Sequence, residues 1–304
     1  MKKKIIITGG SGFLGTHLIK ELSDNEVVAP TSKDLNLLHY EDFKNIRDSY
    51  DEIYHLAAWT QAGDFCLKNP GLQWIQNQQI NTNLIKWWKE KQNNSKLIFI
   101  GTSCCYDENG KHSEENYLSD NPHSSLYTYA FTKKMLLLGA KSCQAQFNMK
   151  WFSPIPSTLY GPDYHTDERQ QHFIFDLIKK ILMAKRNNQK VNLWGDGNQR
   201  REIIHVSDFV KYLVLLNQKL TNEIINIGAS RDHSIKEFAE MICKIVDYDH
   251  KKINYDTTKY TGAKQKKLSI KKIKKIFSNY DKNLISLEDG LLSTINWYKE
   301  TFKF

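Results

Sequence analysis

Tyr129 and Lys133 stand four positions apart in Tyr-Ala-Phe-Thr-Lys, inside a stretch that reads as helix, so both project from one face. An ammonium beside a phenol favours the phenolate. Bringing a tyrosine from a pKa of about 10 toward 7 takes about 4 kcal/mol at ~1.36 kcal/mol per unit. Tuned in that way, Tyr129 could exchange a proton with a substrate oxygen; on the spacing alone, an ordinary exposed helix pair is the better reading. A second segment, Phe99-Ile100-Gly101-Thr102-Ser103-Cys104-Cys105-Tyr106, runs apolar and ends in hydroxyls and thiols. The carboxyl end of a buried strand is where a parallel sheet presents its chemistry, although Ser and Thr there could also cap a turn. The third segment opens the chain: Lys4-Ile5-Ile6-Ile7-Thr8-Gly9-Gly10-Ser11-Gly12-Phe13-Leu14-Gly15. Strand, glycine turn and helix start follow in the order that a dinucleotide pyrophosphate requires. Gly9 and Gly12 admit close backbone approach, Phe13 and Leu14 open the helix, and Gly15 permits tight packing. The spacing is G-x-x-G-x-x-G.

Elements of a particular kind must hold these groups. Short β-branched runs alternate with helical patterns through the first half, the signature of parallel strands joined by helical crossovers. Strands are expected at residues 4–8, 26–29, 52–56, 96–102 and 149–154, and helices at 12–22, 40–47, 72–91 and 126–146. The strand runs lack polar alternation, which suits a sheet covered on both faces. Beyond Tyr160 loops lengthen, with helices expected near 173–185, 207–218, 234–246 and 287–301. The fold class is therefore α/β: a Rossmann-like, doubly wound parallel sheet with a smaller C-terminal α/β lobe. Residues 1–160 form the cofactor domain and 161–304 mainly the substrate lobe. No clean linker parts them, so segments of the second half can return to the sheet. A cleft between lobes at the carboxyl edge of the strands is the usual ligand site in such a fold.

Composition narrows the function classes. The 304 residues are 40% hydrophobic and 25% charged, without a low-complexity tract, which excludes disorder as the main state. The longest apolar runs fall far short of the ~20 residues that span a bilayer, and the glycine turn cuts the N-terminal apolar run too short for a signal peptide. Five cysteines, Cys66, Cys104, Cys105, Cys143 and Cys243, form neither a zinc pattern nor an even disulfide set, so no metal site is expected and a reducing cytoplasm fits. The net charge of +9 calls for an acidic partner. The lysines at 264, 266, 267, 271, 272, 274 and 275 could suggest nucleic acid, but they lack interleaved aromatics and alternate with Leu268, Ile270, Ile273 and Ile276 at helical spacing. A solvated helix face is the better account, with no nucleic acid and no membrane as partner.

Together with His55-Leu56-Ala57-Ala58, the three opening segments resemble the extended short-chain dehydrogenase/reductase family acting on nucleotide sugars. Further blocks sharpen the resemblance toward the GDP-L-fucose synthase family, the GDP-4-keto-6-deoxymannose 3,5-epimerase-4-reductases. They are Pro156-Ser157-Thr158-Leu159-Tyr160-Gly161-Pro162, Trp194-Gly195-Asp196-Gly197 with Arg201-Glu202, and Asp256-Thr257-Thr258-Lys259 with Gly262. They occur in order across essentially the whole chain.

The resemblance implies a catalytic hydroxyl at Thr102, four positions before Tyr106, with Tyr129 as proton donor and Lys133 tuning it. NADPH would deliver hydride to carbon 4 of a keto sugar while Tyr129 protonates the oxygen. The family's Cys and His that invert carbons 3 and 5 match Cys104 and His172. Thiol and imidazole, with reference pKa values near 8.5 and 6.5, bracket neutral pH; as plain residues, Cys104 could be a small core group and His172 a helix start. Leu56, Ala57 and Ala58 would line the cofactor. Ser103, Thr158, Lys179, Trp194, Arg201 and Lys266 match substrate positions, Arg201 and Lys266 holding the diphosphate. Thr158 replaces the family's Asn, and Trp194 could instead be a core residue.

Cofactor choice is read at the end of the second strand. An NAD enzyme places an acid there for the ribose hydroxyls, whereas here Thr31, Ser32 and Lys33 precede the first acid, Asp34. These three could hold the 2′-phosphate of NADP, with Ser32 in place of the family's Arg. The expected function is an NADP-dependent reductase of a GDP-linked 4-keto sugar, a 6-deoxyhexose or a heptose, working as a cytoplasmic homodimer in deoxysugar supply for surface glycans. An NAD-retaining nucleotide-sugar 4-epimerase or dehydratase of the same fold would differ in consuming no NADPH. A non-catalytic NADP-sensing or RNA-binding protein would tolerate Tyr129→Phe.

Overall fold

The computed structural model describes residues 2–167, 169–258 and 263–303. Its centre is a six-stranded sheet, entirely parallel. In chain order the first elements are β1 (Lys4–Thr8), α1 (Phe13–Glu21), β2 (Glu26–Val28), α2 (Tyr40–Phe43), β3 (Glu52–His55), α3 (Phe65–Lys68), α4 (Pro70–Lys91), β4 (Lys96–Phe99), α5 (Tyr127–Phe147) and β5 (Trp151–Pro156). There follow β6 (Thr158–Tyr160), α6 (Phe173–Arg186), β7 (Val191–Trp194), β8 (Arg200–Arg201), β9 (Ile203–His205), α7 (Val206–Lys219) and β10 (Glu223–Ile227). The chain finishes with β11 (His233–Ser234), α8 (Ile235–Val246), β12 (Ile253–Asp256), β13 (Gln265–Lys266), α9 (Lys271–Ile276) and α10 (Leu287–Phe302).

The strand order is β10-β5-β4-β3-β1-β2. From β1 the chain passes outward to β2 and then crosses back to β3, so the order reverses at β1. A crevice opens at such a reversal, at the carboxyl ends of the strands. Period-two alternation divides β1 between two cores: Ile6 packs with Leu84, Trp87 and Trp88 of α4 and Ala130 and Leu136 of α5, while Ile5 and Ile7 pack with Leu18 of α1 and Leu213 and Leu216 of α7. Both faces are thus covered, as the unalternating strand sequences require. The five strands expected from the sequence are present. The sixth, β10, comes from the second half and pairs with β5 from Glu223↔Phe152 to Ile227↔Pro156. Its short Glu-Ile-Ile-Asn-Ile run follows α7 closely, and pairing with β5 and burial against α7 define it.

The remaining elements form a third core, in which Ile174, Phe175 and Ile178 of α6 meet Phe238 and Ile242 of α8 and Leu291 and Ile295 of α10. Two short parallel pairs, β7 with β12 and β6 with β9, and the triplet β11-β8-β13 edge this lobe. The lysine-rich run is mostly solvated, as expected. Ile273 of α9 and Leu268 are buried, while Lys267, Lys272 and Lys274 face Asp232, Glu223 and Asp281. Among the described residues no helix is long and apolar enough to cross a membrane, and no cluster of His, Cys, Asp and Glu could hold a metal.

Candidate active site

The glycine turn sits at the carboxyl end of β1 with its backbone closed on itself: Gly12 donates to the Gly9 carbonyl at 3.1 Å. Gly9 has φ +76°, and a Cβ there would stand 2.7 Å from the Ala57 nitrogen. A Cβ on Gly15 would lie 2.4 Å from the Gly9 oxygen and 2.6 Å from the Gly10 Cα, so α1 can enter this close only with glycine at that place. Gly12 differs. A Cβ there would meet the Gly9 oxygen alone, at 3.3 Å, leaving an open cradle before the N-terminus of α1. No side chain caps that N-terminus, so its first amides and the positive end of the helix dipole suit a pyrophosphate. Leu56 is tied to the turn through its N–H to the Thr8 carbonyl at 3.0 Å, which brings Leu56, Ala57 and Ala58 alongside the cradle.

At the end of β2 the arrangement is more specific than the sequence implied. The Thr31 hydroxyl donates to Asp34 Oδ2 at 2.7 Å and its N–H to the same oxygen at 3.0 Å. These bonds hold the Asp34 carboxyl below its usual range, with the Lys33 charge adding to them. Asp34 is thereby folded onto its own turn, and Thr31 is engaged with it. Ser32 and Lys33 are exposed and form no side-chain hydrogen bond or ion pair among the described residues.

Beyond β4 the chain turns sharply. Thr102 caps the short 3₁₀ turn Ser103–Cys105, its Oγ1 accepting from the Cys104 N–H at 3.2 Å, and its own N–H donates to the Tyr117 hydroxyl at 3.2 Å. Ser103 and Cys104 are half-buried, whereas Cys105 is buried, donates its Sγ–H to the Ala130 carbonyl at 3.3 Å and has its thiol pushed up to about 12 by burial. Cys105 therefore packs against α5 with its thiol engaged. Tyr117 was not singled out from the sequence. It lies in a loop without periodicity, and only the fold brings its hydroxyl beneath Thr102.

Tyr129 and Lys133 lie on one face of α5, facing this turn. The phenol is held well above its ordinary pKa, first by burial and then by the thiols of Cys104, Cys105 and Cys66, with a hydrogen bond to Thr102 opposing them. Lys133 is only 6% exposed, and burial brings its ammonium down to about 8. It forms no hydrogen bond or ion pair among the described residues, and Nζ stands 5.9 Å from the centre of the Tyr129 ring. The ammonium thus lies over the ring of Tyr129, and burial is the largest influence on both groups. Behind it, His55 is fully buried, bonds Thr8 Oγ1 through Nδ1 at 2.8 Å, and is lowered to about 3 by burial and then by the Lys133 charge.

A second group gathers across the cleft. Arg201 and Lys266 are paired residues of β8 and β13, and Thr158 donates its N–H to the Glu202 carbonyl at 3.3 Å. His172 caps α6 through its backbone, its carbonyl accepting from Phe175 and Asp176. His172 is exposed, and its imidazole is held below its ordinary value, by desolvation first and then by the charges of His165 and Lys266. His172 is thus neutral at pH 7. Two expected substrate residues stand apart. Lys179, two turns along α6 from His172, and Trp194, at the end of β7, make no side-chain hydrogen bond, ion pair or ring contact among the described residues. Trp194 is 63% exposed, which removes the core alternative. Lys259 and Gly262 lie outside the described residues.

Glycine turn, hydroxyl-tipped strand end and Tyr-Lys helix face thus converge on one crevice. Residues 5–228 match the NAD dependent epimerase/dehydratase family, and the chain belongs to that family. Among curated proteins it is 28% identical to the GDP-L-colitose synthase of Yersinia pseudotuberculosis, covering 97% of each chain. It is 29% identical to the GDP-L-fucose synthase of Escherichia coli strain K12, covering 98% of this chain and 97% of that one. Among solved structures, a GDP-L-fucose synthetase from Naegleria fowleri bound to NADP superposes with a TM-score of 0.85 at 22% identity, over 100% of this chain and 96% of that one.

Proposed function

We propose that the chain is an NADPH-dependent reductase of a GDP-linked 4-keto sugar, with Cys104 and His172 giving it 3,5-epimerase activity. Residues 1–160 hold the cofactor and 161–304 mainly the sugar nucleotide. The observation that carries the reading is the Thr102–Tyr129–Lys133 cluster: a phenol held above its ordinary pKa, and over its ring a buried ammonium with no ion-pair partner among the described residues. The two curated relatives, both named as synthases of GDP-linked sugars and matched over nearly their full length, support the substrate class.

The open Gly12 cradle fits a dinucleotide, with Gly9, Phe13, Leu14, Gly15 and residues 56–58 around it, and Ser32 and Lys33 exposed toward a 2′-phosphate. NADPH supplies the hydride when bound. Lys133, buried and without an ion-pair partner among the described residues, is suited to ribose hydroxyls. Thr102 and Tyr129 place two donors where negative charge develops on the sugar oxygen, and Tyr129 then gives up its proton to that oxygen. Protons beside a ketone are acidic, and a thiol and a neutral imidazole can exchange them at carbons 3 and 5. Arg201 and Lys266 offer paired cations to the diphosphate, and Ser103, Thr158, Lys179 and Trp194 would line the rest of the path.

The same reading includes a homodimer, cytoplasmic location and a role in surface glycan supply. For the homodimer the support is the groove between α4 and α5, where Ile85, Met135, Leu138 and Phe147 leave apolar surface uncovered. The test is NADPH oxidation against a panel of GDP-, UDP- and dTDP-linked 4-keto hexoses and heptoses, run in deuterated water. Net NADPH consumption with a GDP-linked member is expected, with deuterium at carbons 3 and 5 that Cys104→Ser suppresses. Turnover without net NADPH loss would make it a cofactor-recycling epimerase or dehydratase.

A further inference from the structure

Glu202 is 2% exposed, and its carboxyl, pushed up to about 7 by burial, has no cation within ion-pair distance among the described residues. Burying a carboxylate charge is costly unless it is well solvated by protein donors. Here the donors are backbone amides from separate segments. Oε1 accepts from Ser230 N–H at 2.9 Å, in the loop after β10, and Oε2 accepts from Leu268 N–H at 2.8 Å, just past β13. The main chain of the same residue extends the junction: its N–H donates to the Lys266 carbonyl at 3.1 Å, and its carbonyl accepts from Thr158 N–H at 3.3 Å. Gly228 completes the socket, since a Cβ there would stand 2.8 Å from Oε1 and 2.9 Å from Oε2.

One residue therefore ties together β6, β8, β13 and the loop leaving the main sheet. Three of those segments carry Thr158, Arg201 and Lys266. Arg201 and Lys266 come from strands 65 positions apart in the chain that meet only as a two-residue parallel pair, too short a ladder to set its own register. We infer that Glu202 is the positioning residue that fixes the Arg201–Lys266 pair and Thr158 for a nucleoside diphosphate. The inference rests on the reading above that this side of the cleft takes a sugar nucleotide. Glu202 touches no substrate. It acts by holding two cations at the separation a diphosphate needs, which an uncharged acceptor of the same shape cannot reproduce, because one of its two polar atoms is a donor facing an N–H.

The experiment uses the full chain with Glu202→Gln and, separately, Gly228→Ala, which keeps the carboxylate but pushes it from its socket. Binding of GDP and of NADPH is measured by calorimetry, with kcat and KM for the keto-sugar substrate. Losing one acceptor bond and the register it holds should weaken GDP at least about tenfold, the equivalent of ~1.4 kcal/mol. KM should rise by a similar factor, with a smaller change in kcat and NADPH affinity within about twofold. The same selective loss in both variants supports the inference. GDP affinity unchanged in either folded variant, or GDP and NADPH weakened alike, overturns it. Wild-type protein that binds NADPH but no nucleoside diphosphate would refute the substrate reading itself, and with it this one.

Discussion

Replacing Lys133 by methionine should make the protein more stable while removing its activity. The side chain is 6% exposed, has no ion-pair partner among the described residues, and its ammonium is brought by burial from 10.5 down to about 8. That displacement corresponds to roughly 3 kcal/mol at ~1.36 kcal/mol per pKa unit. The sign follows from proton counting. With the folded value below the unfolded one, the unfolded chain binds more protons between about pH 8 and 10.5, so wild-type stability rises with pH across that window. Below pH 8 the penalty is present in full. Methionine matches the stem and carries no charge, so Lys133→Met should gain about 2–3 kcal/mol at pH 7. At about 2.1 cal/mol/K per residue over 304 residues, that gain raises Tm by about 3–5 °C. The assay is denaturant unfolding of cofactor-free wild type and variant at pH 7, 8.5 and 10, with the advantage shrinking toward the highest pH. A variant no more stable than wild type at pH 7, or equally advantaged at every pH, would refute the picture of an unpaired buried ammonium.

Three further outcomes follow from the geometry. Gly12→Ala, whose methyl meets only the Gly9 oxygen at 3.3 Å, should change stability by about 1 kcal/mol or less yet weaken NADPH at least about tenfold. Gly15→Ala, whose methyl meets backbone at 2.4–2.6 Å, should lower both stability, by about 1–3 kcal/mol, and NADPH affinity; calorimetry and thermal melts on the pair separate the two roles. Tyr129→Phe removes the acid without disturbing α5, so kcat should fall by about 10²–10⁴ with NADPH binding retained, and a rate within threefold of wild type would exclude Tyr129 as the proton donor. Trp194→Ala, at a site 63% exposed, should leave Tm within about 2 °C; KM for the sugar nucleotide, measured alongside, rises only if the indole lies on the substrate path.

Much of the first half was legible because its signals are local. A glycine that must adopt φ +76°, a run of β-branched residues buried on both faces, and Tyr and Lys four apart on a helix each express a constraint within a few residues of itself. The strand end at Thr102–Cys105 was legible for the same reason, since an apolar run that stops at hydroxyls marks where burial stops. The second half was less so. β8 and β13 are two residues each, and β10 is recognisable only beside β5, so no periodicity could announce them. Glu202 stood out in sequence only as the neighbour of Arg201; its amide partners lie 28 and 66 positions away.

The tuning of the central tyrosine shows the division most clearly. Sequence alone determined that a phenol and an ammonium share one helix face, that a glycine turn precedes α1, and that the strands form a covered parallel sheet. Those follow from helical and strand periods and from backbone sterics, which act over one or two turns of chain. Only the tertiary structure decided that Lys133 lies over the ring of Tyr129, that burial holds the phenol above its ordinary value, and that Thr158, Arg201 and Lys266 meet around one buried carboxyl. Solvation and charge depend on everything within several ångströms in space, and the chain brings those neighbours together only when it has folded.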